Sequence, residues 1–187
     1  MLHQPSVQVP LTPPSWAIGE FRLRPLRASD AAPWHAYLSD QRVIQHTSFP
    51  ELDAAAVAGM ISRQLDGYAN ASSCRWALVD SRDILVGTCG FSNRSLPHAH
   101  AELAYDLASA FWGRGLMRQA VQQVLSWAFD CAGFNRVHAF VMTTNLPSIR
   151  LLEAIGFAQE GTLRQFRVAR GVARDFHVYA LLRQSRS

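Results

Sequence analysis

Lysine does not occur in this chain. All 18 basic residues are arginine, against 14 acidic ones, giving a net charge of +4 and a pI near 9.4. The arginines are scattered, without the aromatic-interleaved runs that single-stranded nucleic acid favours. Nucleic acid is therefore not an expected partner, whereas mild basicity suits an anionic, phosphate-bearing ligand. Cysteine is scarce. Cys74, Cys89 and Cys131 are odd in number, far apart and without a CxxC pair, which argues against a disulfide framework and a zinc site and points to a reducing cytoplasm. No apolar run is long enough to span a bilayer. The first residues lack the charged head, long apolar segment and small-residue cleavage site of a secretory signal, so a membrane is not expected either.

No repeat and no internal linker breaks the chain, and 187 residues suffice for one core. With 49% hydrophobic and 17% charged residues it is globular and not disordered. Residues 1–19 carry Pro5, Pro10, Pro13 and Pro14 and little periodicity, and read as a flexible arm. Residues 20–187 then form a single domain. "FRLRPL" alternates as a strand, and Asp30 stands where it would cap a short helix in "ASDAAPWHAYLSD". Val57, Met60, Ile61, Leu65 and Tyr68 make one helical stripe. "CRWALVD" and "ILVGTCGF" flank the turn signal Ser81-Arg82-Asp83 as a hairpin, and "HAHAELAYDL" is a further strand. Leu116, Ala120, Val121, Val124, Leu125 and Ala128 form a second helical face. "RVHAFVM" is a buried strand, "NLPSIRLLEAIGF" a short helix stopped by Gly156, and "TLRQFRVARG" and "DFHVYALL" two closing strands. The order β-αα-βββ-α-β-α-ββ is that of a mixed α/β sheet covered by helices.

The second of these helices begins directly after Gly113-Arg114-Gly115. A helix start leaves N–H groups unpaired and carries partial positive charge, so an anion docks there readily. Glycines allow a tight turn and a close approach of phosphate. The loop is not a P-loop, since no Gly-Lys-Ser/Thr follows, and it is not GxGxxG, since Arg118 holds the third glycine's place. On its own it is either a phosphate cradle or only a turn.

Downstream stand Asn145, Ser148, Arg150-Leu151-Leu152-Glu153, Gly156-Phe157 and Glu160-Gly161. With the loop Trp112–Met117 ahead of them, this series resembles the cofactor site of the GNAT superfamily of N-acetyltransferases. The "AELAYDL…FWGRG" pattern and the ending Asp175-x-x-x-Tyr179-Ala180 are most similar to its Rim-type subgroup, the ribosomal-protein alanine N-acetyltransferases. Trp112 stands where the family has Gln or Arg, and Met117 where it has a small residue. The resemblance implies the GNAT fold, a mixed sheet of about seven strands flanked by helices and splayed between the fourth and fifth strands. It implies acetyl-CoA as co-substrate and no metal. The pyrophosphate would lie on the N–H groups of Gly113, Arg114, Gly115, Leu116 and Met117. The pantetheine arm would pair with Tyr105, Asp106 and Leu107, with Asn145 and Ser148 close by. Met117 is expected to turn its side chain away, because main-chain donors do the binding.

Transfer to an amine needs a neutral nucleophile, a stabilised oxyanion and a proton for the leaving thiolate. Glu102, on the strand before the loop, is the first candidate base, with His98 and His100 next on the same alternation; all three would equally suit a solvated strand face. His98 and His100 lack a third ligand for a metal. Ser148 is the candidate proton relay to sulfur, or only a residue satisfying a helix start. Asn145 has the same two readings, and Tyr179 is core or acid. The N–H near Leu107 would meet the oxyanion. The resemblance makes Trp34, His46 and Phe49 the acceptor wall. The acceptor is read first as a protein N-terminal α-amine. A small-molecule amine such as an antibiotic or polyamine, and a non-catalytic CoA-binding sensor, stay as alternatives. A homodimer is left open.

Overall fold

The structure is a computed structural model that describes residues 14–50, 52–69 and 72–185. The proline-rich arm lies outside the described residues as far as Pro13. Of its remainder, Trp16–Ile18 form a strand, β1, paired antiparallel with β2 (Phe21–Pro25). The strand lies within the stretch read as an arm and raises the strand count from seven to eight. The cause is burial. Trp16 packs its ring 5.4 Å from that of Trp76, and Ile18 is inside the core.

The other elements are α1 (Ala31–Leu38), α2 (Gln41–Ile44), α3 (Ala54–Ala69), β3 (Cys74–Val79), β4 (Leu85–Ser95), β5 (His100–Leu107), α4 (Leu116–Ser126), β6 (Arg136–Met142), α5 (Leu146–Ile155), β7 (Ala158–Ala169) and β8 (Val172–Leu182). The sheet runs β1-β2-β3-β4-β5-β6-β8-β7. Every neighbouring pair is antiparallel except β5 and β6.

Strand β3 shows how the layers divide. All six of its residues are buried, as expected for a strand covered on both faces. Cys74, Trp76 and Leu78 join the cluster around α4 and α5, while Ala77 and Val79 join the cluster around α1 and α3. The helices match with their own period. In α3, Val57 and Ile61 are buried, with Met60 and Leu65 beside them. In α4, Leu116, Ala120, Val121, Val124 and Leu125 are buried, and Ala128 continues the stripe into a π turn at Trp127–Cys131. Strand β6 is buried at Val137, Ala139 and Val141 but half-buried at Arg136, His138 and Phe140, so it alternates instead of being enclosed throughout. Asp30 stands at the N-cap of α1, as its position suggests, but its side chain makes no capping hydrogen bond to the helix. Its carboxylate accepts both terminal nitrogens of Arg24, at 2.8 and 2.9 Å, and the Arg27 N–H.

The parallel ladder between β5 and β6 is short: His100 pairs with Arg136, Ala101 with Val137 and Glu102 with His138. Beyond these, β5 stays with β4 as far as Leu107, and β6 stays with β8 as far as Met142. The two strands part, which is the splay expected from the sequence; the added β1 makes them the fifth and sixth in chain order.

Candidate active site

The parting leaves main-chain groups uncommitted. The Ala108 N–H donates to Val86 O at 2.8 Å, so Ala108 faces β4. Neighbouring residues of an antiparallel strand alternate in direction. Leu107 and Tyr105 therefore turn their N–H groups away from β4, towards the gap. Leu107 O already accepts the Trp112 indole N–H at 2.8 Å, a contact with no counterpart in the sequence pattern.

After β5 the chain makes a short 3-10 turn and enters the glycine loop. Gly113 and Gly115 have φ of +74° and +69°, the left-handed region that side chains resist, and a Cβ at either would meet nothing within 4 Å. Gly115 is the N-cap of α4, so the unpaired N–H groups of that helix's first turn face open space. Met117 turns inwards, packs in the core and is 5% exposed. The Arg114 guanidinium lies over the Phe111 ring.

In front of this loop is a cavity of about 530 Å³, bordered also by Leu107, Trp112, Leu116, Arg118, Pro147, Arg150 and Leu151. A second cavity, of about 700 Å³, lies between α1, α3 and the sheet and is lined by Trp34, Phe49, Met60, Glu102, Phe140 and Arg167 among others. The two share His46, Thr47, Tyr105, Asp106, Asn145 and Ser148. They meet where the sheet opens.

At that junction the Tyr105 hydroxyl and Ser148 Oγ are 2.5 Å apart. Burial raises the Tyr105 pKa, against the opposing effect of the Ser148 hydrogen bond. Asn145 is the N-cap of α5. Its Oδ1 accepts the Ser148 N–H at 3.2 Å, and its Nδ2 donates to His46 O at 3.4 Å. Asn145 thus both caps the helix and ties it to the loop that carries His46. His46 is also 6.4 Å from the Trp112 ring, and burial, aided by the charge of Arg170, lowers its pKa. Arg170 holds that loop in place. Its guanidinium donates to the carbonyls of Ile44, Gln45, Thr47 and Phe49 at 2.9–3.3 Å.

The acidic residues are both matched. Asp106 is buried and accepts from Tyr37, from Thr88 at 2.8 Å and from Arg75 at 2.6 Å. Its side chain is thus committed to a buried network, although the residue lies at the border of both cavities. Burial first, then the charge of Asp106, raises the Tyr37 pKa. Glu102 accepts from Arg167 at 3.0 Å and from Asn93 at 2.7 Å. Trp34 is fully buried, with Arg75 stacked 5.3 Å from its ring centroid, and Phe49 is half-buried at the cavity wall.

Other candidates are not brought here. His98 and His100 stack on each other at the start of β5, with His138 beside His100, and border neither cavity. Tyr179 is buried and donates to Glu153. Among the described residues no group of three His, Cys, Asp or Glu side chains could hold a metal, and no helix is long and apolar enough to cross a membrane. Sequence reasoning missed Arg75, Arg167 and Arg170. Only Arg75 carried a signal, being a charge inside an otherwise apolar strand.

Comparison with known proteins bears on the family and the fold. Residues 20–158 match the model of the acetyltransferase (GNAT) domain. The uncharacterized N-acetyltransferase p20 of Bacillus licheniformis is 34% identical over 167 residues, covering 87% of this chain and 92% of the relative. The ribosomal-protein-S5-alanine acetyltransferase of Vibrio fischeri superposes with a TM-score of 0.81 at 21% identity, covering 94% of this chain and 100% of the other. The spermidine N-acetyltransferase of Vibrio cholerae, in complex with CoA and spermine, superposes with a TM-score of 0.78 at 18% identity, covering 89% and 97%. With a family model that matches residues 20–158 and a relative 34% identical over 87% of its length, the chain belongs to the GNAT acetyltransferases.

Proposed function

We propose that the acceptor of this N-acetyltransferase is a protein N-terminal α-amine. The observation that carries the reading is the meeting of two cavities at the Tyr105–Ser148 pair, with the glycine loop on one side and charge-matched acids on the other. Acetyl-CoA supplies the activated acetyl thioester. The chain's residues fit it: open space before Gly113 and Gly115, the first turn of α4 from Leu116 and Met117, and Arg118 and Arg150 at the cavity edge. The main chain of Tyr105 and Leu107, which faces the gap, would pair with its amide-bearing arm, while that of Asp106 between them is turned to β4; Trp112, Arg114 and Asn145 would frame it.

The acceptor side favours a single positive charge. Asp106 is neutralised by Arg75 and Glu102 by Arg167, and Arg63 adds a further cation to the lining. Among the described residues that line this cavity, both carboxylates are paired, so they offer a polyamine no free partner. An α-amine needs none: with a pKa near 7.7–8.0, about a tenth to a fifth of it is neutral at pH 7. A lysine amine is neutral only about 0.04% of the time. Glu102 takes the amine proton through water, and Trp34, His46 and Phe49 shape the wall. The Leu107 N–H, directed into the gap, receives the oxyanion.

Ser148 handles the thiol. Either hydroxyl of the pair can donate; with Tyr105 donating to Ser148 Oγ, the proton the serine gives up is replaced from the phenol, which regains one from the proton the amine releases to solvent. The serine's own proton is then free for the departing sulfur. Ser148→Ala is expected to lower kcat about 10- to 1000-fold, and Tyr105→Phe about tenfold, the worth of one orienting hydrogen bond. Both deficits should shrink when the acetyl donor is a thioester of a more acidic thiol, which leaves without a proton. Deficits equal across donors would reduce Ser148 to a helix-start residue.

Thiol release measured over N-terminal peptides, spermidine and aminoglycosides tests the acceptor. Turnover is expected with the peptides. Preference for either small-molecule class overturns the proposal.

A further inference from the structure

Arg167 occupies an unusual place on β7. Its guanidinium carbon lies 5.1 Å from the ring centroids of both Phe140 and Phe166, and 5.5 Å from that of Phe176. Its Nη2 donates to Glu102 Oε1. Three aromatic faces and a carboxylate around one cation are the means by which proteins recognise ammonium and guanidinium ligands. Phe140, Phe176, Glu102 and Arg167 all line the acceptor cavity.

The backbone is bent to build this arrangement. Leu163 pairs with Phe176 and Arg167 with Arg174, so Arg164, Gln165 and Phe166 stand opposite Asp175 alone. Gln165 has φ +51°, and its N–H is held by Asp175 Oδ1 at 2.7 Å. Consecutive residues of a regular strand point to opposite faces. Here Phe166 and Arg167 are consecutive and yet stack, which the bulge permits. Positive φ at a residue other than glycine is the kind of strain that gathers at functional sites.

We propose that Phe140, Phe166, Phe176 and Glu102 form a cation subsite that Arg167 fills from within, so that Arg167 sets acceptor specificity by excluding amines that bring a second positive charge. The proposal rests on the larger cavity being the acceptor side. An acceptor with one charge leaves the internal occupant in place. A diamine, or a peptide with arginine in second position, must compete with a tethered guanidinium that is always charged.

The test uses the full chain, wild type and Arg167→Gln and Arg167→Ala. Binding of tetramethylammonium is measured by calorimetry, and kcat/KM is measured for two peptides that differ only in alanine or arginine after the N-terminal residue. Wild type should bind tetramethylammonium at least tenfold more weakly than the variants and should favour the alanine peptide. In the variants the peptide preference should move at least tenfold towards arginine, through KM more than kcat. Adding Phe176→Leu to Arg167→Gln should remove the gained binding. A wild type indifferent between the peptides overturns the proposal without recourse to any variant. So does a variant that melts like wild type and gains no cation binding. If the variants gain tetramethylammonium but no protein acetylates any peptide, the subsite stands and the acceptor reading falls.

Discussion

Gly115→Asp is expected to abolish acetyl-CoA binding while the fold stands. The position has φ +69° and open space around the missing Cβ, so the folded state bears only the backbone cost, about 1–2 kcal/mol for a left-handed non-glycine residue. The ligand side loses far more. A carboxylate would project from the N-cap of α4, where partial positive charge and unpaired N–H groups must receive phosphate. In wild type, acetyl-CoA at 100 times its Kd adds about 2.7 kcal/mol of stability, and the melting temperature rises accordingly. The Asp variant should melt a little lower than wild type and show no rise. Gly115→Ala carries the same strain without the charge and should keep part of the shift. An Asp variant that binds as wild type does would take the phosphate off this loop.

Asp106→Ala should cost about 3–5 kcal/mol, the range for stranding a buried charge. Arg75 loses its carboxylate while its side chain is 8% exposed, and Tyr37 and Thr88 lose an acceptor. Since a domain has only about 5–15 kcal/mol in total, the variant should be largely unfolded at modest urea. Arg75→Met together with Asp106→Leu should be less damaging than the two single losses summed, because neither charge is left without its partner. Additive losses in urea titrations would mean that the pair is not coupled. The same network explains why a residue on the cofactor strand can be indispensable without its side chain facing the ligand.

Much of the layout could be read from residues alone. The stripes at Val57–Ile61 and Leu116–Ala128 face the core as their spacing requires. The glycines stand at positive φ before α4, and α5 ends at Gly156. These features are local, and local patterns show in sequence. What stayed hidden depends on distant partners. β1 is three residues beside a run of prolines, ordered by Trp76 some sixty residues on. Asp30 holds the cap position that the spacing suggests, but Arg24 claims its carboxylate. Strand β7 begins at Ala158, four residues before the alternation suggests, because an exposed edge strand need not be apolar. The cage around Arg167 draws on four strands and a bulge, and no short window contains it.

Arg170 has a consequence for how the acceptor is met. One guanidinium gathers four carbonyls of the segment that carries His46 and Phe49. Ordering a loop costs about 1–2 kcal/mol per residue in backbone entropy, and here that cost falls on folding, before any substrate arrives. The wall is preorganised. An acceptor that fits it forfeits little freedom on the protein's side, and one that does not fit finds no pliant loop to accommodate it.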